Sequence, residues 1–226
     1  MARTARLVIP DTPHHICQRA QRDDFIFNDK EDFETYTAFL KEQCDKQGVG
    51  IWAYALLPNQ IHLIAVPRHE HSLADAIGEA HRRYTLYMND RENLVGHLFQ
   101  NRFYSYPMDE SSLLSAARMM ERLPVLSGIA PTPESYLWSS CRAHCKGRDD
   151  RLMQDRVIPF LKPDWAGFVQ EWPHPQELTM IQTHLHTGRP RGSDDFLNAI
   201  EKTTGRTVRP QKRGRKPKIT TEIKAA

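Results

Sequence analysis

Apolar periodicity along residues 1–130 runs strand, helix, strand, strand, helix, strand, helix. This order predicts an α+β fold with a ferredoxin-like split βαβ core and an antiparallel sheet. Two observations carry most of the prediction. Val49 to Leu57 and Ile61 to Val66 are apolar runs of strand length separated by a Pro58-Asn59 turn, the pattern of a hairpin. On either side of that hairpin lies a stretch whose apolar residues recur at helical spacing.

The elements follow in order. His14 to Gln18 is the first strand, after a turn region from Pro10 to Pro13. Asp29 to Gln47 is an amphipathic helix with Phe33, Tyr36, Phe39, Leu40 and Cys44 on one face, ended by Gly48 and Gly50. Ser72 opens a second helix through Met88, with Leu73, Ile77, Ala80, Tyr84 and Tyr87 at helical intervals. Arg102 to Met108 alternates as a fourth strand. Asp109 or Ser111 caps a third helix that runs to about Glu121 and is terminated by Pro124 and Gly128. This arrangement covers one sheet face and leaves the other available. Residues 131–187 form an accessory helical segment broken by Pro131, Pro133, Pro159, Pro163, Pro173 and Pro175. Residues 188–226 hold a short helix and a basic tail. Gln176 to His186 and Ser193 to Thr203, around a Gly-Arg-Pro-Arg-Gly turn, have the outline of a helix-turn-helix.

With 226 residues the chain buries a real core, and its four scattered cysteines fit reduced thiols rather than a disulfide scaffold. No apolar run approaches a membrane span, so a cytoplasmic protein is expected. Cys141-Arg-Ala-His-Cys145 outlines a metal knuckle but has no second cluster, which favours two small residues on one helical face. The charge is uneven. From Gly188 onward eleven Lys/Arg face four Asp/Glu, a net +7 in a chain whose total is +3. Seven basic residues and no acid lie between Arg206 and Lys218, a density suited to polyanion contact.

Several motifs together resemble the HUH-type single-tyrosine transposases, and within them the REP-associated tyrosine transposase branch. They are Pro13-His14-His15-Ile16-Cys17-Gln18-Arg19, Leu57-Pro58-Asn59-Gln60-Ile61-His62, Ala80-His81-Arg82-Arg83-Tyr84-Thr85 and Gly96-His97-Leu98-Phe99-Gln100-Asn101-Arg102-Phe103, with Pro124-Val125, Trp138-Ser139-Ser140 and Thr187-Gly188-Arg189-Pro190 beyond. The resemblance implies metal-dependent DNA cleavage in which two strand histidines and a polar residue of the third helix hold magnesium or manganese. A tyrosine one turn before that polar residue attacks the phosphate. A phenol is a weak nucleophile, and the metal stabilises the charge that develops.

Carried over by motif, these positions are Gln60 and His62 on the strand, Met119 for the tyrosine and Leu123 for the polar ligand. Three of the four have lost the required chemistry. Glutamine is a poor substitute for imidazole, leucine ligates nothing, and methionine has no hydroxyl. The expectation is a degenerate site with His62 as the only residual ligand and no cofactor. Rescue would require another nucleophile, such as Tyr104 or Tyr106. Tyr84 and Tyr87 lie on the second helix. His69 with His71, and His184 with His186, also spell His-x-His but fall in a loop and a helix, where that spacing does not align side chains. Glu121 reads as an exposed helix-end charge.

Binding is expected to outlast the chemistry. Arg82, Arg83, Arg102, Arg206, Arg209, Lys212, Arg213, Arg215, Lys216 and Lys218 are the candidate nucleic-acid contacts. Arg213-Gly214-Arg215-Lys216-Pro217-Lys218 also resembles an AT-hook for an A·T-rich minor groove. The expected partner is hairpin or single-stranded palindromic DNA. Two other outcomes stay open: residual nuclease activity, and a catalytically silent partner of an active relative, with homodimers possible by the same resemblance.

Overall fold

The computed structural model describes residues 6–21, 25–153 and 157–210. Its sheet has four antiparallel strands, β1 (His14–Arg19), β2 (Val49–Leu57), β3 (Gln60–Pro67) and β4 (Tyr104–Pro107), in the spatial order β2-β3-β1-β4. Helices α1 (Lys30–Gln47) and α2 (Ser72–Arg91) provide the crossovers, which makes the core a split βαβ sandwich as expected.

Local chemistry accounts for the boundaries. Asp29 caps α1 in a reciprocal capping box with Asp32, and Gly48 ends it at φ +66, a left-handed conformation that costs glycine little. Leu57 faces Gln60 across the Pro58-Asn59 turn. The register of β2 shifts between Ile51 and Ala53, so Ile51, Tyr54 and Leu56 face the α1–α2 layer while Ala53, Ala55 and Leu57 face away. Tyr36, Leu40, Ile77 and Tyr84 fill that layer, each buried side chain contributing about 1.5–3 kcal/mol relative to exposure.

The second sheet face is not available. Helix α3 (Glu110–Leu126) crosses it, followed by α4 (Cys141–Lys146), α5 (Val157–Leu161), α6 (Trp165–Gln170) and α7 (Pro175–Thr187). Leu113, Met120, Ile158, Trp165, Val169 and Ile181 build a second core there. The accessory segment carries enough large apolar side chains to close the face, which its proline content concealed. Pro124 also lies inside α3 instead of ending it. In the last turn its missing N–H removes one bond, while Ser127 N still reaches Leu123 O at 2.9 Å.

Helix α8 (Asp194–Thr204) is capped by Ser193 as expected, but α7 and α8 do not form a reading pair. The linker between them pairs with the end of β4 through Met108 and Arg191, and α8 opens with Asp194 and Asp195, which would repel phosphates. No helix among the described residues is long and apolar enough to cross a membrane.

Candidate nucleic-acid interface and a closed histidine face

Side chains two apart on a strand share a face, and Gln60 and His62 do so on the α3 side of the sheet. Neighbouring strands complete a polar chain there. Arg191 stands near the Tyr106 hydroxyl, Tyr106 Oη lies 3.2 Å from His15 Nδ1, His15 Nε2 lies 3.1 Å from His62 Nδ1, and His62 Nε2 lies 3.3 Å from Gln60 Oε1. The carbonyl oxygen of Gln60 only accepts, and with both imidazoles neutral this sets the direction of the whole chain. His62 Nε2–H donates to Gln60, His15 Nε2–H donates to His62, and Tyr106 O–H donates to His15. Each imidazole then has its one lone-pair nitrogen occupied.

Burial enforces that neutrality. His62 is pushed down to about 3 by burial and then by Arg19. His15 is held well below its ordinary value by burial, with His62 and Arg191 adding to the effect. Burial also drives the Tyr106 phenol well up, with Arg191 pulling the other way. Tyr106 is fully enclosed and offers no nucleophile to a ligand. Cys17 Sγ stands 3.7 Å from His62 Nε2, its thiol pushed up to about 11 by burial.

From the opposite layer, α3 turns Met119 into the second core at 5% exposure and packs Leu123 half-buried against it. Glu121 is not an exposed helix-end charge. It is completely buried, and its carboxylate accepts from Ser140 Oγ at 2.5 Å, His144 Nδ1 at 2.6 Å and Trp165 Nε1 at 2.7 Å. Those donors belong to the accessory layer and clamp it onto α3. Beside them Arg122 NH1 donates to Val169 O and Gln170 O. Cys141 and Cys145 share one face of α4 with sulfurs 3.7 Å apart, and among the described residues no three His, Cys, Asp or Glu side chains converge as a metal-binding group.

The β4 edge is built differently. Arg6 lies over the Phe103 ring, 3.6 Å from its centroid, and its guanidinium donates to Phe103 O at 2.9 and 3.2 Å. Burial and then the nearby Arg102 lower its pKa to about 10. Arg6, Arg102, Arg189 and Arg206 line an open cavity of about 460 Å³, together with Tyr104 and the Thr187-Gly188 turn. Arg6 and Arg102 also line a second cavity of about 520 Å³ on the α2 side, where Arg82 and His97 join them. Like charges this close favour an anion between them.

Not every predicted contact falls here. Arg82 lines the second cavity while forking onto Glu79 at 2.7 and 2.8 Å. Arg83 pairs with Glu42 and lies over Phe39. Arg209 is held by Glu201 and Asp194, so it stabilises α8 and its following turn. Lys212, Arg213, Arg215, Lys216 and Lys218, with the AT-hook-like run, lie outside the described residues. Arg6 escaped sequence reasoning because it sits in no periodic element, and Arg189 entered only as part of the Thr187-Gly188-Arg189-Pro190 motif, not as an expected contact. Only the fold brings them beside Arg102.

The sequence profile described as Transposase IS200 like matches residues 11–120. A solved REP-associated tyrosine transposase bound to a REP hairpin superposes with a TM-score of 0.52 at 14% identity, covering 70% of this chain and 93% of that one. A Deinococcus radiodurans R1 crystal structure, provisionally assigned as a transposase, matches at 15% identity over 54% of this chain and 97% of that one, with a TM-score of 0.37. No curated protein matches the sequence.

Proposed function

Because the chain belongs, through residues 11–120, to the IS200-like transposase family, we propose that it binds hairpin or single-stranded palindromic DNA and does not cleave it through a phosphotyrosine. The observation that carries the binding half is the convergence of Arg6, Arg102, Arg189 and Arg206 on one open cavity at the sheet edge. Guanidinium groups there would take successive phosphates, and the basic tail would add contacts whose strength depends on salt. The hairpin carried by the structural relative is consistent with such a ligand.

The cleavage half rests on donor chemistry. A hard divalent ion takes oxygen ligands or free imidazole lone pairs. His62 uses one nitrogen as acceptor from His15 and the other as donor to Gln60, while Met119 and Leu123 turn apolar surface into the core. This set does not fit magnesium or manganese.

Anisotropy titrations with a palindromic hairpin, a scrambled single strand and a blunt duplex test the proposal. Binding to the hairpin or single strand should weaken linearly on a log–log salt plot, and no adduct should survive denaturation in manganese. Salt-independent or absent binding would remove the binding half. One observation favours a second reading, residual cleavage: Tyr104 lines the arginine cavity. A covalent adduct mapped to Tyr104 would establish it.

A further inference from the structure

The most exposed large apolar side chain among the described residues, Val95 at 98%, stands beside Leu94 at 62% on the loop that leaves α2. This tip is held in shape. Leu94 N donates to Asn89 O at 2.8 Å, Asn93 N to Asp90 O at 3.3 Å, and Asn89 Nδ2 to Gly96 O at 3.1 Å. Asn93 sits at φ +52 and Gly96 at φ +114, and a Cβ on Gly96 would touch nothing, so the glycine serves the backbone and not the space. At its base the loop is pinned to the end of β1, with Gln21 N on Leu98 O at 2.8 Å and Gln100 N on Arg19 O at 2.9 Å. Two apolar side chains on a pre-ordered backbone in open water are a docking element, since the backbone cost of ordering them is already met before binding.

We propose that Leu94 and Val95 form a wedge that stacks on the open end of a DNA stem, at the base pair where a hairpin passes into single strand. The inference rests on the DNA-binding reading above and names the feature of the DNA it selects. Continuity with the arginine edge identifies the occupant. Asn89, Gly96, His97 and Leu98, which frame the tip, line the same cavity as Arg6 and Arg102. A terminal base pair presents an apolar face bordered by phosphates, and this surface presents an apolar tip whose base runs into the cavity lined by Arg6 and Arg102. Side chains of this kind wedge against base steps in other DNA-bending proteins. A continuous duplex offers no such face.

The test uses the full chain, a hairpin with a 5′ overhang and 2-aminopurine in its last stem pair, and the matching single strand. Wild type should change the 2-aminopurine emission and prefer the hairpin by about tenfold. Leu94→Ser with Val95→Ser should abolish the emission change and bring the two affinities together, with single-strand binding and the melting temperature kept. An unchanged preference in the variant overturns the wedge, including the case in which the variant only dissolves a dimer. Equal loss for both ligands also overturns it. If wild type binds neither ligand in a salt-dependent way, the DNA-binding reading fails and the wedge fails with it.

Discussion

On the face between β3 and α3, buried His15, His62 and Tyr106 are hydrogen-bonded in a chain that ends on half-buried Gln60. At the β4 edge Arg6, Arg102 and Arg189 look into open cavities. Both regions are rich in groups that could meet a phosphate. They differ in what saturates them. The closed face has spent its donors and acceptors internally, which rigidifies it and removes it from ligand chemistry. The edge keeps like charges together, a condition that an anion relieves. A polar residue at a family motif position therefore does not by itself mark a working site.

The largest expected effect separates the two regions by acid. An unfolded imidazole takes a proton near pH 6.5. On the closed face His62 resists protonation until about pH 3 with His15 lowered too, and outside that face buried His81 (about pH 3) and His14 (about pH 4) add to the same loss. The unfolded state binds more protons throughout that window, so stability is complete above about pH 6.5 and falls as pH falls, by about 1.4 kcal/mol per pH unit for each such histidine. Thermal melts from pH 7.5 to 4.5 should show a steep loss. His62→Gln should flatten the slope, and Arg102→Ala should leave it unchanged. A slope that His62→Gln does not alter would mean that the face is open to water.

Next in size is the clamp. Glu121→Ala strands the donors of Ser140, His144 and Trp165 in the core, at a cost of about 3–5 kcal/mol. The melting temperature should fall by about 10 °C, against about 1 °C for Arg189→Ala at the edge. Equal shifts would erase the contrast between the two regions.

How far these regions were legible in the sequence follows from what kind of signal each carries. The hairpin around Pro58-Asn59, the apolar faces of α1 and α2 and the Ser193 cap are local, period-setting features, and sequence registers them directly. Gln60, Met119 and Leu123 stood out because each substitutes a residue type that cannot perform the motif's chemistry. The burial of Glu121 was invisible, because its three donors lie 19 to 44 residues away in a segment whose prolines suggested irregular structure. Arg6 escaped for the same reason, since its neighbour Arg102 is distant in sequence and no periodicity links them.

A smaller effect tests the edge itself. Arg102→Ala with Arg189→Ala should weaken hairpin and single-strand binding about tenfold at moderate salt and lower the log–log salt slope by about two. Ending the chain after Pro210 should lower the slope further for all DNA ligands. The cut belongs there and not after Gly205, because Val208 is buried and its N–H donates to Glu201 at 2.8 Å. Selective loss for A·T-rich duplex after this truncation would assign the tail to the minor groove. If the paired substitution leaves the slope untouched while truncation abolishes it, the tail and not the edge is the phosphate-binding surface.

The smallest effect is expected where the closed face would be reopened. Gln60→His replaces the acceptor that orients the histidine chain with a ring whose lone pair is free to ligate. Met119→Tyr supplies a hydroxyl, and Leu123→Asn a polar group one turn later on the same side of α3. A nucleophile and its activating groups act as a unit, so each single change should leave no detectable adduct with end-labelled hairpin in manganese. The triple variant should give a faint covalent band mapping to position 119. It should remain faint because His62 still accepts from His15 and the second core still covers the helix. Adding His15→Ala should strengthen the band by freeing His62 Nδ1. If a single reversion cleaved as well as the triple, the closed face would be a resting arrangement of a working site and the contrast with the β4 edge would not hold.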